Sequence, residues 1–159
     1  MLCYAFGKAQ RILAELKAIG VANEILLHGA VETVTKHYRK AGIEMVKTRP
    51  LSEIDREDPL KGRLVIAPPS AYRSTWMKRF REPQTAFASG WMTVKGARRR
   101  RGYERGFVIS DHADWPSLIQ TIKESEAKHV YVTHGQDEVL SRYLREVEGI
   151  KAESLNLLG

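Results

Sequence analysis

The stretch between residues 107 and 134 restricts the fold more than any other part of the chain. Two short apolar runs, Phe107-Val108-Ile109-Ser110 and Val130-Tyr131-Val132-Thr133, flank a segment from Pro116 to Ala127. That segment carries Leu118, Ile119 and Ile122 at helical spacing, with polar residues opposite. Strand, helix, strand within one sheet is almost always a right-handed crossover between parallel neighbours. Each run is closed by a histidine, His112 after Ser110-Asp111 and His134 after Thr133. Parallel strands put both residues at carboxyl ends, and adjacent strands lie about 5 Å apart. Open α/β sheets hold their ligands along that edge. The two imidazoles are therefore expected in one site.

The same alternation runs through the earlier sequence. Tyr4 to Ile19 carries Ala9, Ile12, Leu13 and Leu16 on one helical face, with Gly20 placed to stop it. Glu24 to Leu27 reads as a strand ending at His28-Gly29. Val31 to Ala41 reads as a helix with Val31, Val34 and Tyr38 inward and Gly42 at its end. Thr48 to Gly62, polar and holding two prolines, reads as a surface loop. Strands are expected over Arg63–Ala67 and Thr85–Ser89, a short basic helix over Arg73–Arg81, and an irregular segment over Trp91–Arg105. Glu138–Val147 is expected to be the last helix, with an edge strand from Ile150 onward. The class is α/β with a largely parallel sheet. A doubly wound domain usually opens with a strand and a glycine-rich turn, whereas this chain begins almost inside a helix. The expectation is that the amino-terminal part of a larger fold is missing.

Composition enters where partners are concerned. The chain has 159 residues, enough for a proper core. Its single cysteine, Cys3, rules out a disulfide framework within the chain and points to a reducing, cytoplasmic setting. No segment has the length of a membrane span. The net charge of +7, from 26 Lys and Arg against 19 Asp and Glu, favours a polyanionic partner. Arg98, Arg99, Arg100 and Arg101, flanked by Lys95 and Arg105, form the strongest binding feature, because guanidinium groups grip phosphates bidentately. Lys78, Arg79 and Arg81 make a second basic patch beside Trp76.

Three chemistries can be built on these residues. A catalytic zinc needs about three protein ligands and a water; His112, His134 and Asp111 or Asp114 supply part of such a set, but no HxH, HExxH or CxxC spacing is present. A Ser-His-Asp arrangement could draw on Ser89 or Ser110, without a GxSxG elbow to support it. Gly7-Lys8 lacks both the preceding glycine and the following Ser or Thr of a phosphate-binding loop. An ordinary first helical turn explains it better.

The string Gly106 to Trp115, containing Ser110-Asp-His-Ala-Asp-Trp115, together with Val130-Tyr-Val-Thr-His-Gly135, resembles the carboxy-terminal motifs of the β-CASP group of metallo-β-lactamase-fold nucleases. Gly7-Lys-Ala-Gln-Arg11 is similar to a helix start in their inserted β-CASP domain. Ala67-Pro-Pro-Ser70, Phe87 to Met92 and Gly96 to Tyr103 look most like the bacterial ligase-associated DNA exonucleases within that group. The resemblance implies the later part of a β-CASP domain over residues 1–85. It implies the returning half of a metallo-β-lactamase αββα sandwich over 86–159. It also implies a phosphate contact for His112 and a zinc ligand in His134. Asp114 is left as an outer orienting residue or, preferably, the cap of the following helix.

Family members also carry an HxHxDH motif, a further histidine and a bridging aspartate, which this chain lacks; His28 and His37 match neither spacing nor context. The two zinc ions of the complete centre could not be held by this chain alone. The expectation is a portion of a zinc-dependent DNA exonuclease, for DNA processing and repair, inactive without its amino-terminal half. DNA is favoured over RNA as the substrate, with a DNA ligase and a helicase as functional neighbours. The alternatives are a non-catalytic nucleic-acid-binding module and part of an RNA-processing β-CASP nuclease.

Overall fold

All strand pairings among the described residues are parallel, and consecutive strands are joined through helices or long irregular segments. The computed structural model describes residues 1–94, 96 and 102–155. It divides into two units, Met1–Asp111 and His112–Gly159. Residue 85, where the resemblance places a domain boundary, lies inside the first. The class is mixed α/β with small parallel sheets.

In the first unit, β1 (Ile25–Leu27) pairs with β2 (Thr48–Pro50) and β3 (Val65–Ile66), and β4 (Ala86–Ala88) pairs with β5 (Arg105–Phe107). Leu2 bridges Ala67 and Phe87, parallel to both. Leu2 N–H donates to Ala86 O at 2.7 Å and Cys3 N–H to Ala67 O at 3.1 Å. The six segments therefore run β2, β1, β3, residues 1–3, β4, β5. This corrects the expectation that the chain opens within a helix: a short extended segment comes first, and α1 (Lys8–Ala18) follows it. Three residues are too few to show a period-two pattern.

Helix α1 buries Ala9, Ile12 and Leu13 and is followed by Gly20 at φ 79°. Helix α2 (Gly29–Lys40) buries Val31 and Thr35. All three residues of β1 are buried. Ile25 and Leu27 join Cys3, Leu13, Val31 and Ile66 in one cluster, whereas Leu26 joins Leu51, Ile54 and Leu60 in another. Successive strand residues face opposite sides, so this strand is covered on both, as parallel strands require.

Three local expectations are corrected. Thr48–Pro50, read as the start of a loop, is a strand; among the described residues it pairs on one side only, where a terminal proline is tolerated. The basic helix expected over 73–81 is a 3-10 turn, Thr75–Arg79. The strand expected at 107–110 lies at Arg105–Phe107, leaving Val108 58% exposed and His112 five residues beyond the strand end.

The second unit contains α3 (Trp115–Glu124), β6 (His129–Val132), α4 (Asp137–Glu146) and β7 (Lys151–Ser154). Ile119, Val132, Leu144 and Ala152 form its core. The strand, helix, parallel strand pattern is realised here as β6, α4, β7, with Val130 opposite Ala152 and Val132 opposite Ser154. The expected pairing of the 107–110 and 130–133 runs with each other is thus replaced: β5 has its ladder with β4, and β6 with β7. Among the described residues no helix is long and apolar enough to cross a membrane.

Candidate functional site

Because the strands of the first unit are parallel, their carboxyl ends share one edge, where open α/β sheets place ligands. Tyr4 to Lys8, His28, Pro68, Ser89-Gly90 and the segment reaching Ser110-Asp111 leave from it. Gly7 takes φ 75°, a left-handed conformation that favours glycine, and turns the chain into α1. Lys8, the first residue of that helix, has a side chain only 2% exposed, and its Nζ lies 2.8 Å from Asp111 Oδ1. The same ammonium sits 5.1 Å from the centre of the Tyr4 ring. One turn on, Arg11 donates to Ser110 O at 2.6 Å. A Cβ on Gly90 would lie 3.3 Å from the Ser110 side chain. Two strings far apart in sequence, Gly7 to Arg11 and Ser110-Asp111, are therefore one structural feature.

This pairing was missed in the sequence, where Asp111 had no definite role. It explains why Lys8 does not serve as a phosphate-loop lysine: its charge is buried and paired. Ser89 Oγ accepts from Trp91 N–H at 3.3 Å and caps a short turn, Gly90–Thr93. Cys3, on the neighbouring strand segment, is fully buried, and loss of hydration pushes its thiol up to about 11. His28 Nδ1 accepts from Ala30 N–H at 3.1 Å as the cap of α2, and burial holds its pKa below the ordinary value.

His112 and His134 both fall in the second unit. His112 opens it, exposed, two residues before the cap of α3. That cap is Asp114, whose Oδ1 accepts from Ser117 N–H at 2.9 Å. The hydrogen bonds to Ser117 hold its carboxyl below the usual aspartate value. His134 follows β6 in an exposed position with φ 68°, and Gly135 after it has φ 78°. Consecutive left-handed residues make an abrupt strand-to-helix turn, and strained non-glycine backbone clusters at functional sites. His134 Nδ1 lies 3.0 Å from Thr133 Oγ1, whereas its Nε2 has no partner among the described residues. Across the same end of the sheet, Ser154 Oγ donates to Asp137.

Lys95, Arg98, Arg99, Arg100 and Arg101 lie outside the described residues. The second basic patch is smaller than expected. Arg79 donates to Leu51 O, Ile54 O and Asp55 O at 3.0, 2.7 and 3.0 Å, tying down a loop instead of facing an anion. Trp76 is half-buried between His28 and Phe80, with ring centres 5.1 and 4.8 Å away. Among the described residues no group of three or more His, Cys, Asp or Glu side chains is placed to hold a metal ion.

Compared with known proteins, the chain is 30% identical over 149 residues to a protein named "Probable DNA ligase" from Opitutus terrae. The matched region covers 94% of this chain and 14% of that relative's length. No protein-family model matches, and no solved structure does.

Proposed function

We propose that this chain is part of an enzyme that hydrolyses phosphodiester bonds in DNA, namely the carboxy-terminal portion of a β-CASP, metallo-β-lactamase-fold exonuclease. Residues 1–85 would then be the later part of the inserted domain and residues 86–159 the returning half of the αββα sandwich. The observation that carries this reading is His134, set on a left-handed turn just past a strand end, with Nδ1 3.0 Å from Thr133 Oγ1 and no partner for Nε2 among the described residues. That is how a protein presents an imidazole to a metal. The relative named as a DNA ligase supports DNA as the polymer, and a ligase as a functional neighbour.

The described residues do not fit a zinc pair by themselves. The centre would take His134 from this chain and its remaining ligands from polypeptide outside it, while His112 would contact the phosphate. The test is to mix the chain with a separately produced amino-terminal half carrying HxHxDH and to follow nucleotide release from end-labelled DNA. Activity is expected only with both parts and zinc, and His134→Ala should abolish it. Undiminished activity in that variant refutes the assignment.

A second reading, a non-catalytic nucleic-acid-binding module, is favoured by the net charge of +7 and the run Arg98 to Arg101. Salt titrations of DNA binding by the chain alone test it. Replacing the four arginines with alanine should flatten the plot of log affinity against log salt by about 3. No binding at low salt removes this reading.

A further inference from the structure

Away from the carboxyl edge of the first unit, a groove of about 790 Å³ opens beside the starts of β3 and β4. Leu60, Trp76, Met77 and Phe80 line its floor. Lys61, Arg63 and Arg81 stand on its rim against one acid, Glu82. Lys61 and Arg81 are exposed and have no ion-pair partner among the described residues, whereas Arg63 lies 3.7 Å from Glu24. Two non-glycine residues at the groove take left-handed backbone, Leu60 at φ 54° and Glu82 at φ 45°. A bulky leucine in that region is an outlier, and such strain concentrates at ligand clamps. Leu60 is nonetheless 7% exposed and packed on Leu26 and Leu51, so the surrounding core holds it there.

From this we infer that the groove docks a short acidic peptide segment of a partner protein, with apolar side chains on the floor and carboxylates against the basic rim. A size within the range of about 300–1,000 Å³ suits a few large side chains, and Met77 gives the floor an adaptable surface. Single-stranded nucleic acid shares the charge but fits the floor less well. Trp76 is already packed edge-to-face against His28 and Phe80, so it offers no open platform for a base. The peptide reading is independent of the nuclease reading, since none of these residues lies in the second unit, which holds His112 and His134.

The test is to pan a random-peptide display library on the whole chain, then measure one enriched peptide, fluorescein-labelled, by anisotropy. Enriched sequences are expected to be net negative, with apolar residues at regular spacing. Amide NMR shifts should concentrate at residues 59–65 and 76–85. The rim variant Lys61→Glu with Arg81→Glu should weaken binding by about tenfold or more, as loss of two charge contacts implies. Excess oligothymidylate should not displace the peptide. The proposal is overturned by enrichment of basic or uncharged peptides, or by no enrichment at all. Equal affinity in the rim variant, displacement by oligothymidylate, or a dimer of the chain that the rim variant dissolves would each overturn it too.

Discussion

Replacing Asp111 with asparagine tests the central packing argument of the first unit. The Lys8 ammonium is nearly sealed from water, and its carboxylate partner, 2.8 Å away, is 32% exposed. At that distance and an effective dielectric of about 20, the attraction is roughly 6 kcal/mol. Desolvating Lys8 offsets several kcal/mol of it, so the net value of the pair is small. Breaking the pair is another matter. Asp111→Asn leaves a buried cation facing a neutral amide, which costs about 3–5 kcal/mol where both partners are buried. The partial exposure of Asp111 lets water screen the ammonium and argues for the low end, about 2–3 kcal/mol.

Lys8→Met removes the charge and keeps the packed stem, and the Asp111 side chain is already 32% exposed, so it should cost only about 1 kcal/mol. In the double variant the asparagine no longer faces a buried charge. The expected coupling is therefore about 2 kcal/mol. Urea denaturation followed by tryptophan fluorescence and far-UV dichroism measures all three variants. With a slope of about 1–3 kcal/mol per molar urea, Asp111→Asn should lower the first unit's midpoint by about 1–2 M. Costs that simply add, or an Asp111→Asn cost below about 0.5 kcal/mol, would refute the claim that the pair ties the segment before His112 to α1.

Further outcomes follow from the same contacts. Gly7→Ala should cost about 1–2 kcal/mol for forcing a side chain into left-handed backbone. Gly20→Ala, with φ 79° and open space around it, should cost nearly the same; a much larger cost at Gly7 would mean that the Asp111 contact at 3.4 Å is already tight. His28 has a lowered pKa, so the folded state prefers the neutral ring. Its contribution is present above the ordinary 6.5 and is lost as pH falls through the depressed value. The melting temperature should fall over that range, and His28→Asn, which keeps an acceptor for Ala30 N–H, should flatten the slope. Cys3, with its thiol raised to about 11, should resist disulfide-exchange reagents at neutral pH until denaturant is added. Fast labelling of the native chain would contradict its burial.

The sequence reveals elements whose periodicity spans several residues and hides those set by distant partners. Helices α1, α2, α3 and α4 all appear within a few residues of where their apolar spacing puts them, because each buries one face and ends at glycine or a cap. The extended segment around Leu2 and strand β2 are too short for any pattern, and β2 exists because β1 offers it an edge. The run Phe107 to Ser110 is instructive for the opposite reason. Its apolar pattern is real, but Ile109 packs on the first unit's core while Arg11 holds Ser110 and Lys8 holds Asp111. A strand-like run is thus bent out of the sheet by interactions with residues about a hundred positions earlier, which no local window contains.

The displacement matters for the site. If His112 closed a strand, its position would follow from that strand's register. Instead the first unit ends at Asp111, which the buried Lys8 ammonium holds at 2.8 Å. His134, by contrast, remains where its strand puts it, two residues past β6. His134 is therefore placed by a ladder, whereas the segment that ends at Asp111 is placed by an anchor at the start of α1. Substitutions at Lys8 should then alter the backbone leading into His112 while leaving the Thr133–His134 turn unchanged. Amide exchange can read that separation residue by residue: faster exchange confined to residues near 108–113 supports the anchor, and equal acceleration at 130–135 contradicts it.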